Sequence, residues 1–326
     1  VSVDLGGRRI IKKKIHQNIS IIKTNKMDIK EVITRVGFLI CIALVGIFIG
    51  KKFKVNQKDI STLLVYVISP AVMFVSVLQA PKGNYLQFSA AAFLFCSVTA
   101  LLAYQIGQLI WRDHTKNLFA FSGGTGNTGY FGLPIALAMF DTTGAAIAVF
   151  IILGVNLYEF TVGYYITSLG RHSIKDSLKK VVKMPILYSF ALAYALKIMG
   201  LIPNDVILNS LNNFKGTYSV LGMMVIGITL SKFERFEVDL KFLAATLTWK
   251  YVYWPVAVLL LIHTLGTAMS GTEKAVVLLM ACVPMAGNTV VIANELDVHP
   301  EKAATAVMLS TLFAIVSVPL MMMFIS

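Results

Sequence analysis

Residues Ser122-Gly-Gly-Thr-Gly-Asn-Thr-Gly-Tyr-Phe-Gly-Leu-Pro134 lie in the middle of a run, Asn117 to Phe140, that contains no charged side chain. The run is apolar enough to enter a membrane, yet its centre cannot be a regular helix. Each interior Gly costs a helix about 1 kcal/mol, and an interior Pro about 3 kcal/mol, relative to Ala. Backbone amides and carbonyls freed at membrane depth are tolerated only where they line a cavity or find partners on neighbouring helices. A broken helix inside a bilayer is the expectation from which the rest follows.

The surrounding chain supplies the bilayer. Apolar residues make up 57% of the 326 positions and charged residues 14%, a balance that a soluble domain of this size could not carry on its surface. Three further runs, Ile60 to Ala80, Gly83 to Trp111 and Ala303 to Ser326, are also uncharged and long enough to cross a hydrocarbon core of about 30 Å. Six more carry one or two polar interruptions: Val32 to Gly50, Thr142 to Leu169, Val181 to Gly200, Gly216 to Ser231, Phe242 to Ala268 and Lys274 to Leu296. The expected fold is an all-α membrane protein of ten transmembrane helices, because the runs are continuously apolar rather than alternating.

The formal charge of +13 would suit a nucleic-acid binder, but the basic residues lie in the connections between apolar runs, where a topology signal explains them. Lys51, Lys52, Lys54, Lys58, Arg112, Lys116, Arg171, Lys175, Lys179, Lys180, Lys183, Lys232, Arg235, Lys241 and Lys302 fall on one side of the ten-span arrangement, against Lys82, Lys215 and Lys274 on the other. The positive-inside rule makes the first side cytoplasmic. Both termini of this multi-pass protein are then expected outside the cytoplasm, in a plasma or inner membrane. Residues 1–30, with eight Lys and Arg, run against that orientation and are expected to be a non-native or disordered tail.

The most basic connection, residues 170–183, is expected to divide a first five-helix unit, residues 31–169, from a second, residues 184–326. The offset that sets Lys116 on Lys274 also sets Gly129 on Gly287, and the run 144–149 (GAAIAV) on 302–307 (KAATAV), without a gap. Span four then falls on span nine. An odd number of spans per unit gives the two units opposite orientations, so two inverted repeats are expected.

Span nine is interrupted where the offset predicts, at Pro284-Met-Ala-Gly-Asn288. One Gly-rich break alone would be explained by close helix packing. A matched pair in two inverted halves points instead to a shared binding site. Half-helix N-termini offer unpaired N–H groups and partial positive charge, which suits an anion. Candidate binding residues are Asn127, Thr128, Gly129, Tyr158, Gly287 and Asn288, with Gly126, Pro134 and Pro284 shaping the crossover. Glu159 and Lys250 are ionisable residues inside spans, where charge is expensive and often marks a pathway, although snorkelling or structural pairing would also account for them. With Asn156 they are the coupling or charge candidates. Which of Asn156 and Tyr158 faces the crossover is left open.

These residues carry a family resemblance. Asn127-Thr-Gly-Tyr-Phe-Gly-Leu-Pro134, and Val283-Pro-Met-Ala-Gly-Asn288 followed by Glu295-Leu-Asp-Val-His-Pro300 and Ser310, are similar to the two crossovers of the auxin efflux carrier family, which includes plant auxin exporters and bacterial carboxylate permeases. The resemblance extends over nearly all of Met27 to Ser326, including Pro70, Pro185, Lys250 and Pro255. It implies ten helices in two inverted repeats, a scaffold group, a crossover group and an elevator-like alternating-access cycle. Gly126 stands where plant members have a second Pro, Thr289 also departs from their pattern, and their long central loop is absent, which argues against auxin itself.

Other motifs carry no chemistry. Gly124-Thr-Gly-Asn-Thr-Gly129 matches GxGxxG but follows no strand. Thr161-Val-Gly-Tyr-Tyr165 lacks the closing Gly of a potassium filter. Cys41, Cys96 and Cys282 have no pairing or metal spacing, and the five His are scattered. No convergent acid, nucleophile or metal set suggests an enzyme, and no metal or cofactor is expected. The expected activity is secondary transport of a small organic anion such as a mono- or dicarboxylate, with an ion or solute channel and a transporter-like sensor as alternatives. The lipid bilayer is the other expected partner, a homodimer is allowed, nucleic acid is not expected, and H+ and Na+ are both open as coupling ions.

Overall fold

The computed structural model describes residues 29–53, 55–168, 182–231 and 238–325. The basic tail, apart from its last two residues, and most of the 170–183 connection lie outside these. The regular structure of the described residues is all helix, without strands. Seven helices are long and apolar enough to cross a membrane. They are α1 (Ile29–Lys52), α2 (Gln57–Gln79), α3 (Leu86–Ile110), α6 (Thr142–Ser168), α8 (Asp205–Ser231), α9 (Leu240–Ala268) and α12 (Pro300–Ile325). A shorter apolar helix, α7, spans Pro185–Ile198.

The remaining helices are the pieces on either side of two interruptions: α4 (Thr115–Gly123) and α5 (Leu133–Met139), then α10 (Gly271–Cys282) and α11 (Asn288–Leu296). Residues 124–127 are non-helical, and a π-helical turn over Thr128–Gly132 leads into α5. Residues 283–287 break the second pair before α11 begins.

Proline shapes these helices in a consistent way. A π-turn immediately precedes the Ser69-Pro70, Leu133-Pro134 and Trp254-Pro255 steps, at Leu64–Ile68, Thr128–Gly132 and Trp249–Tyr253. Proline has no N–H to donate, and its ring clashes with the preceding turn; widening that turn relieves the clash without ending the helix. A fourth π-turn, Glu159–Gly163, begins on the buried acid of α6.

The helices pack as two groups. In the first, α1 lies along α8, and α2 contacts α7 and α8. Small residues permit the α1–α8 approach: a Cβ on Gly46 would lie 2.5 Å from the Met224 carbonyl, and one on Gly227 would strike the Ala43 carbonyl. In the second, α3 packs on α4 and α6, α6 on α10, and α9 to α12 on one another. Helix α6 is its centre, with 72% of its most apolar window buried against 22–44% for the other six long helices. Between the groups, α5 rests on α1 and α8, α2 on α6, and α12 on α1.

Candidate functional site: the meeting of two helix breaks

The two interruptions touch. The Asn127 N–H donates to the Pro284 carbonyl at 2.8 Å, and the Met285 N–H donates to Ser310 Oγ of α12 at 3.1 Å. The carbonyls freed by the first break are taken up by α9. Gly123 O accepts the indole N–H of Trp249 at 3.0 Å and of Trp254 at 2.8 Å, and Thr125 O accepts from Lys250 Nζ at 3.3 Å. The Lys250 ammonium also sits 3.3 Å above the Trp254 ring. The irregular backbone is thus satisfied from within the bundle, as a low-dielectric setting requires.

Glu159 joins the arrangement from α6. Its Oε1 accepts from the Thr125 hydroxyl, and its Oε2 accepts from Asn288 Nδ2 at 2.6 Å. Glu159 and Lys250 are 2% and 1% exposed, so neither reaches interfacial water by snorkelling. Thr125 lies between them, its hydroxyl on the acid and its carbonyl on the base, so one residue of the first break bridges the two buried ionisable groups.

A cavity of about 800 Å³ reaches this point. Its lining includes Gly126, Asn127, Thr128 and Gly129 of the first break, Gly287 and Asn288 of the second, and Asn156 and Glu159 of α6. Helix α11 starts at Asn288, and the π-turn leading into α5 starts at Thr128, with no side-chain cap at either start. Two helix N-termini therefore open on the cavity, each presenting positive dipole density. The lining also includes residues at helix ends: Gln57 and Ser61 at the start of α2, Lys183 and Pro185 at the start of α7, Thr229 and Leu230 at the end of α8, and Ala304 in α12. These ends adjoin the basic connections. Among the described residues, the lining includes none from the opposite connections around 80–85, 140–141, 199–204 and 266–270. On that side α5 is packed between α1 and α8, Arg35 donates to the Ala138 carbonyl, and Tyr130 faces Tyr218 at 6.3 Å between ring centroids.

Most of the residues singled out from sequence are brought together here, and helix phase separates the rest. Ile152, Asn156, Glu159 and Phe160 line the cavity, at the spacing of one helix face. Tyr158 points the other way. It is fully buried, its hydroxyl donating to Phe121 O at 3.2 Å, and it packs against Gly124, where a Cβ would strike that hydroxyl and the Cys96 carbonyl. Lys250 lies behind the cavity wall, 2.5 Å from where a Cβ on Gly126 would project. Pro134 and Pro284 shape the backbone without lining the cavity. Thr125, Trp249 and Trp254 were not singled out: Thr125 is visible in sequence as a hydroxyl inside the Gly-rich break, but its partners come from α6 and α9.

An all-helical bundle with seven long apolar helices and a polar cavity at two mid-bundle breaks defines the class: a multi-pass membrane protein. A family model described as "Membrane transport protein" matches residues 31–175 and 169–322, and the chain belongs to this family, the auxin efflux carrier family of the sequence resemblance. It is similar to uncharacterized transporters of Methanocaldococcus jannaschii (27% identical, covering 86% of this chain and 95% of the relative) and Methanothermobacter thermautotrophicus (25%, covering 85% and 94%). It is also similar to a Rhizobium meliloti protein named "Putative malonate transporter" (23%, covering 79% and 84%). Family and relatives point to transport rather than catalysis.

Proposed function

We propose that the protein is a secondary transporter of a small organic anion, with a carboxylate as the recognised group. The observation that carries this reading is the convergence of two helix N-termini and the side chains of Asn127 and Asn288 on one cavity. Such termini favour negative charge, and two amides can orient a carboxylate by hydrogen bonds. The name of the Rhizobium meliloti relative makes malonate the first substrate to try.

The proposed architecture is ten crossings in two inverted five-helix repeats, with each broken pair, α4–α5 and α10–α11, counted as one crossing. In this reading α1, α2, α7 and α8 form the scaffold, and α3 to α6 with α9 to α12 move against it as an elevator. Support comes from the packing of the helices into these same two groups. The helix ends among the lining residues adjoin the basic connections, which the positive-inside rule makes cytoplasmic, and on this reading the conformation is inward-open with α5 as the outer seal.

The test is uptake of radiolabelled malonate by proteoliposomes, with Asn127→Ala and Asn288→Ala alongside wild type. Saturable uptake is expected, and each substitution should raise KM about tenfold or more, since a hydrogen bond to a charged group contributes about 1.5–3 kcal/mol. Wild-type kinetics in both variants would remove the site assignment. Absence of saturable flux of malonate and of other small carboxylates by folded protein would remove the anion reading.

A further inference from the structure

We propose that Glu159 is the proton site of this transporter and that Lys250 is its resident cation, filling the position where a coupling metal ion would otherwise be held, so that the anion travels with one proton and without sodium. The inference rests on the anion-transport reading above.

Donor chemistry argues against sodium. A sodium site at a broken helix needs free carbonyl oxygens converging on a carboxylate. In the first break Gly123 O is occupied by two indoles, Thr125 O by the Lys250 ammonium, and Gly126 O by the Thr128 N–H at 2.7 Å. The carboxylate of Glu159 is met by an O–H donor and an N–H donor, because an ionised carboxylate can only accept. A cation approaching it would meet the NH2 of Asn288, with the Lys250 side chain already placed on the carbonyl side of Thr125.

Charge balance argues for the proton. With Glu159 ionised and Lys250 protonated, the empty crossover group carries no net buried charge. The carboxylate of the anion that binds beside Asn288 adds one negative charge in a low-dielectric setting, where uncompensated charge is expensive, while a second carboxylate, as in malonate, stays in cavity water. One proton on Glu159 restores neutrality. It arrives from cavity water and bonds to Oε2, turning the carboxylate into a carboxylic acid. Asn288 Nδ2 then loses its acceptor and becomes free to donate to the anion. On release the same O–H bond breaks, the proton returns to water, and Asn288 bonds to the carboxylate again. The ionisable groups close enough to interact electrostatically with this carboxylate are Lys250 of α9, the Cys96 thiol of α3 and, on the other face of its own helix, Tyr158. Cys282 of α10 faces Lys250, and Glu295 of α11 accepts from the Tyr164 hydroxyl of α6 at 3.1 Å.

The experiment uses the full chain in proteoliposomes with radiolabelled malonate. Exchange at equal pH on both sides reads the anion reading alone; if it is absent, that reading and this inference fall together. Where exchange is present, an imposed pH gradient at zero membrane voltage is expected to change the steady-state accumulation ratio about tenfold per pH unit, the factor for one proton per anion. A sodium gradient should have no effect. In Glu159→Gln exchange is slowed, and what persists should not respond to pH. A pH-sensitive dye trapped in wild-type vesicles gives the same answer without a variant, as acidification accompanying malonate entry. Intact exchange with no pH response, driving by sodium, or a wild-type pH response in Glu159→Gln would each overturn the inference while leaving the anion reading standing.

Discussion

The Asn127 N–H and the Pro284 carbonyl, 2.8 Å apart, join two helix breaks that lie far apart in the sequence. Helix α10 stops at Cys282, and Pro284 follows with no N–H to continue it. Replacing Pro284 by Ala removes a penalty of about 3 kcal/mol against helix, so α10 should extend and draw this carbonyl away from Asn127. The expected outcome is a variant that unfolds at or above the wild-type temperature in detergent yet transports at least tenfold more slowly. Wild-type transport by Pro284→Ala would show that the contact is dispensable.

Two glycines of the first break differ in what a methyl group would meet. A Cβ on Gly124 strikes the Tyr158 hydroxyl and the backbone carbonyl of Cys96, whereas one on Gly126 comes 2.5 Å from the flexible end of Lys250. Overpacking costs about 1–3 kcal/mol, and more of it should remain where backbone blocks relief. Gly124→Ala should therefore lower thermal stability more than Gly126→Ala. Adding Tyr158→Phe should not rescue Gly124→Ala, because the Cys96 carbonyl remains. Full rescue in thermal unfolding would place the clash on the hydroxyl alone.

Lys250→Met removes the basic group that Thr125 bridges to the buried Glu159, and it should lower stability by leaving the acid without that partner. The double variant Lys250→Met with Glu159→Gln removes both charges and should be more stable than Lys250→Met alone. A double-mutant cycle by chemical or thermal unfolding measures the coupling. Additive effects would mean that Thr125 does not link the two groups energetically.

The connections on the basic side carry their own titration. Asp239 caps α9 through the Phe242 N–H at 3.0 Å and pairs with Lys302 at 2.9 Å. The Phe242 amide is the main influence holding its carboxyl below the usual range, with partial burial opposing and Lys302 assisting. At Asp113, partial burial opposes ionisation, but the Thr115 hydroxyl and amide, then His299 and Lys302, outweigh it, and His299 Nε2 lies 3.2 Å from the carboxylate. Both acids bind protons more readily in the unfolded chain. Their contribution is present above the ordinary carboxylate pKa of about 4 and is lost as pH falls through the lower folded values. Thermal unfolding of Asp239→Asn should show a shallower loss of stability on acidification than wild type. An unchanged slope would assign the acid sensitivity elsewhere.

The amino-acid sequence by itself determined that the chain crosses a membrane several times and where its helices cannot continue. Hydropathy, Gly clusters and Pro act within a few residues of themselves. The breaks at 124–127 and 283–287 were legible for that reason. The tertiary structure alone decided what the breaks meet. Asn156 faces the cavity and Tyr158 does not because a helix turns by 100° per residue, and only packing against α3 and α4 sets its phase. Thr125 gained its role because α6 brings Glu159 and α9 brings Lys250 to it from 34 and 125 residues along the chain. Residues that far apart leave no periodic trace in a sequence, and their contact exists only once the broken helix has carbonyls and a hydroxyl that must be satisfied away from water.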